Sequence, residues 1–203
     1  MRTPIGILIK THFALLLLAV SMVACSASAA PTPTPVDGIQ AIEPPLALAD
    51  FTLTDQHNQP IRLSDLKGKA VLLTFGYTHC PDVCPVNLAN FKRIKQMLGT
   101  DAARVAFAFV SVDGKRDTPS VLARYIDLFD PSFIGMMGDD SATHQAAKQF
   151  GAAYFIDSDA VDYTVTHTAA TFLVDPQNQW RRVYSFNLPP AQIAADIEQM
   201  LKS

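Results

Sequence analysis

Two thiols stand four positions apart in Cys80-Pro81-Asp82-Val83-Cys84. At the start of a helix that spacing sets both on one face, about one turn apart. Two sulphurs so placed can meet one ion or each other. Unpaired amides and the dipole at a helix start favour thiolate over thiol, which predicts lowered cysteine pKa values suited to metal ligation or disulfide exchange. The spacing is one residue longer than the Cys-x-x-Cys redox motif. A packing pair or a structural disulfide in an oxidising compartment is the plainer alternative, but paired prolines and a loop are poor material for a core.

Reduced copper prefers soft thiolate and imidazole donors, so two cysteines plus one histidine make a reasonable trigonal site. The chain has five histidines. His79 adjoins Cys80 and could tune its thiolate or touch a partner, although an ordinary exposed loop residue is the simpler reading. His57 falls in a turn, His144 on a helix surface and His12 in the N-terminal segment. His167, taken alone, is a strand histidine.

The elements that must position these groups are legible in outline. Phe51–Asp55 and Pro60–Leu63 flank a turn-prone stretch and read as a hairpin, after which Ser64 would cap a helical turn ending at Gly68. Ala70–Gly76 and Arg104–Val112 are near-continuous apolar runs, as in strands buried on both faces. Between them a helix ends at Leu98-Gly99. Thr118 and Pro119 open a second helix with an apolar stripe through Leu122, Tyr125, Ile126 and Phe129. Asp139–Phe150 forms a third, stopped by Gly151, with Ala152–Ile156 as a strand. Thr164–Val174 and Trp180–Phe186 pair across Asp175-Pro176-Gln177-Asn178, and Pro189–Leu201 closes the chain as a helix. The class is α/β: a mixed central sheet flanked by helices, with an N-terminal hairpin and a cysteine pair at the first strand-to-helix turn. That is the layout of a thioredoxin fold.

Asp113, Arg116 and Asp117 could form a polar cluster near the cysteines, but charges in a loop before a helix are more often caps and surface pairs, and they are read as such. Phe107, Phe109, Tyr125 and Phe129 are core positions. Trp180, beside Arg181 and Arg182, is read as strand packing rather than a docking feature.

Residues 1–29 combine a basic start (Arg2, Lys10), an apolar run from Phe13 to Val20 and a small-residue patch. This is the layout of an export signal, and the run is short of the roughly 20 residues of a spanning helix. Met22-Val23-Ala24-Cys25 also fits a lipoprotein box, in which Cys25 would be lipidated; an uncleaved anchor is the third option. Residues 30–45 are a Pro-rich linker, and 46–203 should form one domain. After residue 30 the chain holds 14 basic and 19 acidic side chains, formally −5, which argues against nucleic-acid binding.

Gly76-Tyr-Thr-His-Cys-Pro-Asp-Val-Cys-Pro85, Ser111-Val-Asp113 with Arg116-Asp-Thr-Pro119, and Tyr163-x-Val165-x-His167-Thr168 together resemble the Sco/SenC family, from about Phe51 to the last helix. The resemblance implies a thioredoxin fold and a copper ion held by Cys80, Cys84 and His167. It implies a copper chaperone for the dinuclear centre of cytochrome c oxidase, with that centre's subunit and other copper chaperones as partners. It also implies a periplasmic domain attached at the inner membrane only through its N-terminus. Thr166 stands where the family usually has Asp, and Gly114-Lys115 where Pro-Glu is common. The first departure bears on the electrostatics around the ion.

One motif serves two functions. A carrier needs all three ligands. A thiol-disulfide oxidoreductase that reduces acceptor cysteines needs Cys80 and Cys84 but not His167. A thiol peroxidase shares the fold, but no feature of the sequence calls for a peroxide pocket.

Overall fold

The structure, a computed structural model, describes residues 38–156 and 163–202. The expected export signal at 1–29, Cys25 and the linker up to residue 37 lie outside the described residues. The strands and helices in chain order are β1 (Ile39–Ala47), β2 (Thr52–Asp55), β3 (Pro60–Arg62), β4 (Ala70–Gly76), α1 (Val83–Leu98), β5 (Val105–Ser111), α2 (Pro119–Asp127), β6 (Ile134–Met137), α3 (Asp140–Gln149), β7 (Tyr154–Ile156), β8 (Val165–His167), β9 (Thr171–Val174), β10 (Gln179–Tyr184) and α4 (Pro190–Lys202). Eight strands form one sheet in the order β1-β10-β9-β4-β5-β6-β2-β3.

Every residue of β4 and β5 is buried, which is why both read as unbroken apolar runs. They pair in parallel with Gly76 opposite Ser111, and β6 continues the parallel set. Behind them Phe75, Phe150 and Phe172 pack edge to face, with centroids 5.8 and 5.9 Å from Phe75. Helix α1 buries Leu88, Phe91, Ile94 and Leu98. Helix α2 starts as its sequence dictates: the Thr118 hydroxyl accepts from the Val121 N–H at 3.3 Å, and Pro119 takes the first turn, where no N–H is needed. The Trp180 ring packs on Phe150 and Phe172 at 5.9 and 6.0 Å, in keeping with strand packing.

Three expectations need correction. The linker does not run to residue 45: residues 39–47 form β1, paired antiparallel with β10, so the sheet begins seven residues before Leu46. Pro44 and Pro45 disguise this strand, but β1 lies at the sheet edge, where a missing N–H is tolerated, and the register shifts between Ala41 and Leu46 to pass them. The hairpin β2–β3 is therefore not the first element. Ser64 is not a cap either. Its turn, Leu63–Leu66, starts after Arg62, while the Ser64 N–H and hydroxyl both donate to Asp50, at 2.9 and 2.8 Å.

Thr164–Val174 is likewise two strands rather than one. The break falls at Thr168-Ala169-Ala170, where side chains take over the backbone groups. The Thr168 hydroxyl accepts from the Ala153 N–H at 3.0 Å, and Thr74 donates its hydroxyl to the Ala170 carbonyl at 3.1 Å. Strand β9 stays in the main sheet, while β8 leaves it and pairs with β7 in a separate ribbon that sets His167 opposite Tyr154.

Candidate metal centre

Strand β4 ends at Gly76 in the middle of the sheet, and the chain passes through Tyr77–Asp82 into α1. Cys80 closes a turn on the Tyr77 carbonyl at 3.3 Å and is partly exposed. Cys84, the second residue of α1, is 1% exposed. The Cys84 N–H, one of the unpaired amides of the first helical turn, points at the Cys80 sulphur at 3.5 Å. Both are free thiols.

His167 reaches the same point from the end of β8. Its Nε2 lies 3.3 Å from the Cys84 sulphur, and the donor atoms of Cys80, Cys84 and His167 all fall within 4.8 Å of one another. Among the described residues no other group of three such side chains is brought together in this way. Its Nδ1 lies 3.1 Å from the Thr168 carbonyl; donating there leaves the Nε2 lone pair facing the sulphurs, the tautomer a metal needs. Tyr77 stands edge-on to the imidazole, with centroids 5.9 Å apart.

Burial governs the protonation of the centre. It pushes the Cys84 thiol far above its ordinary range, with the neighbouring Cys80 and Asp117 adding to the rise. It also lowers the His167 pKa, so at neutral pH the ring is uncharged. For Cys84 this reverses the thiolate expected at a helix start. Loss of water outweighs the dipole, and the nearest helix amide serves Cys80 instead. A soft ion bound here would have to displace the Cys84 proton, while the neutral imidazole offers a free lone pair.

The loop after β5 holds residues whose role the sequence alone understates. Asp113 and Asp117 are both 0% exposed, neither surface charges nor simple caps. The Asp117 carboxylate accepts from the Thr78 N–H at 3.0 Å, the Thr78 hydroxyl at 2.6 Å and the Ser111 hydroxyl at 2.5 Å. It thus anchors the turn two residues before Cys80. The clue lay in the strand pairing: parallel β4 and β5 end together, so the loop leaving Ser111 must stand beside the loop leaving Gly76. His79 is half exposed, with Nδ1 3.7 Å from Asp117 and 3.1 Å from the Thr78 hydroxyl, and belongs to this support rather than to the donor set. His57 and His144 are exposed. Thr166 is exposed too, and strand alternation turns it to the face opposite His167.

The family model described as SCO1/SenC matches residues 40–202. An SCO2-like protein of Rickettsia felis is 32% identical over 147 residues, covering 71% of this chain and 72% of that one. The structure of Bradyrhizobium japonicum ScoI with copper bound superposes with a TM-score of 0.69 at 34% identity, covering 76% of this chain and 99% of that one. The apo Sco1 protein of Thermus thermophilus superposes with a TM-score of 0.72 at 38% identity, covering 79% and 94%. These likenesses bear out the thioredoxin-type fold expected from the sequence. With the match running from β1 to the end of α4, the chain belongs to the SCO1/SenC family.

Proposed function

We propose that this protein carries one copper ion on Cys80, Cys84 and His167 and hands it to the dinuclear copper centre of cytochrome c oxidase. The observation that carries the reading is the convergence of three soft donor atoms, from two distant parts of the chain, within 4.8 Å. Two thiolates and an imidazole suit reduced copper, and a relative of the same fold, ScoI, holds copper. The family's part in oxidase assembly supports the acceptor; other copper chaperones would supply the ion. Transfer would proceed by ligand exchange with acceptor cysteines, without net chemistry on the carrier. Export to the periplasmic side of the inner membrane, with attachment by lipidated Cys25 or an N-terminal helix, completes the reading. Among the described residues no helix is long and apolar enough to cross a membrane.

One observation favours thiol reduction as a second reading. Cys80 is partly exposed while Cys84 lies buried four residues further on, the order of an attacking and a resolving thiol. Copper binding to the reduced protein separates the two. The carrier requires one tightly held ion per chain, weakened by Cys80→Ser, Cys84→Ser and His167→Ala alike. A parent that binds no copper yet cycles between dithiol and disulfide, indifferent to His167→Ala, would leave the reductase as the working function.

A further inference from the structure

We infer that Arg116 is a positioning residue for the third ligand: together with Asp113 it clasps Tyr163 and so fixes the strand carrying His167 against the cysteine loop. The inference rests on His167 being a ligand and concerns what holds it there.

Strand β8 needs such a hold. It has three residues and, among the described residues, pairs only with β7, and a two-stranded ribbon of that size is not stable by itself. Tyr163 enters β8 and is gripped at three points. Its hydroxyl donates to one oxygen of the buried Asp113 carboxylate at 2.6 Å. Its backbone carbonyl accepts from Arg116 Nη1 at 2.8 Å. The Arg116 guanidinium lies 3.6 Å from the centre of its ring. Arg116 is itself aimed by Asp113, which accepts from Nε at 2.5 Å through its other oxygen.

The same guanidinium stands 5.6 Å from the ring of Tyr77, the residue edge-on to His167. The loop then runs on to Asp117, whose carboxylate holds Thr78 beside Cys80. One short loop thus reaches both halves of the donor set. Among the described residues the buried Arg116 Nη2 has no hydrogen-bond partner. Only a planar guanidinium can stack on a ring while donating in two directions.

The test measures copper(I) affinity by chelator competition, and the copper–nitrogen shell by X-ray absorption, for the full chain. Variants are Arg116→Lys and Tyr163→Phe, each with and without His167→Ala. Arg116→Lys should weaken binding about 10–100-fold, the range for groups that orient a ligand, and diminish the nitrogen shell. Tyr163→Phe, which keeps ring and carbonyl but loses the bond to Asp113, should act in the same direction by less. In the His167→Ala background neither should weaken binding further.

Equal losses in both backgrounds would overturn the clasp, because the effect would then run through the thiols or the fold. So would a lowered melting temperature with affinity and nitrogen shell intact. If His167→Ala alone leaves the parent's affinity and nitrogen shell unchanged, the ligand set itself is wrong and the clasp falls with it, an outcome read before any Arg116 variant is made. Should Arg116→Lys fail to fold, Tyr163→Phe in the two backgrounds decides.

Discussion

Gly76 lies directly against Cys84: a Cβ on that glycine would stand 2.6 Å from the cysteine sulphur and 2.7 Å from the ring of Phe109. The sulphur therefore rests on bare backbone at the end of the central strand, and the Phe109 ring crowds the same spot. Strand β4 presents the thiol at a height set by the absence of one methyl group.

Gly76→Ala should displace the sulphur, since the Phe109 ring cannot yield within the sheet. The expected result is a loss of about 1–3 kcal/mol in apo stability, the usual cost of overpacking, and weaker copper binding. Denaturant unfolding and chelator competition on the same variant check both; unchanged copper affinity would show that the donor set tolerates the shift.

Copper binding should tighten as pH rises. The apo protein holds the Cys84 proton because burial raises its pKa, so binding must release it, and each released proton makes affinity rise about tenfold per pH unit. His167, with its pKa lowered, competes with protons only in acid. Titrations at several pH values, in buffers of different ionisation heat, count the protons; a flat profile through neutrality would contradict a buried thiol as ligand. The same shift has a consequence for the apo fold. Unfolded Cys84 ionises near its ordinary 9.0 while folded Cys84 stays protonated, so this contribution to stability is intact below that pH and is lost above it.

Asp117→Asn removes a charged acceptor of three hydrogen bonds from a fully buried position. A loss of about 2–3 kcal/mol is expected, in the range of a bond to a charged group. Amide exchange should quicken at Thr78, whose N–H depends on that carboxylate. Protection at Thr78 equal to the parent's would mean the turn is held by something else.

Copper should stabilise the fold, and chelation should return the melting temperature to the apo value. At about a thousandfold excess over its Kd, a ligand specific to the folded state adds about 4 kcal/mol. The rise should shrink in His167→Ala. A melting temperature unmoved by copper would mean that the ion does not bind the folded centre.

Much of this arrangement was legible because it rests on local chemistry. The double burial of β4 and β5 writes itself as unbroken apolar runs, and Thr118-Pro119 announces a helix start wherever it falls. Cys80 and Cys84 declare themselves by spacing. The features that escaped depended on partners distant in sequence. Strand β1 looks like linker because its prolines are tolerable only at an edge, and nothing local marks it as one. The split at Thr168–Ala170 depends on Thr74 and Asn87 from elsewhere reaching its carbonyls. Asp113 and Asp117 look like surface charges until the parallel ends of β4 and β5 close over them, and the thiol of Cys84 looks acidic until the core surrounds it.

The separate β7–β8 ribbon sets the kinetics of the centre apart from its thermodynamics. The two sulphurs are mounted where the fully buried strand β4 passes into α1, whereas the imidazole rides on three residue pairs outside the main sheet. Opening that ribbon leaves the eight-stranded sheet intact but must release the hold of Asp113 and Arg116 on Tyr163, so it is a local event that costs less than global unfolding. On the proposed ligand set, residence time of an ion would be governed by a local opening rather than by unfolding, and a change in β7 or β8 would alter how quickly the ion departs while the overall fold stays as durable as before.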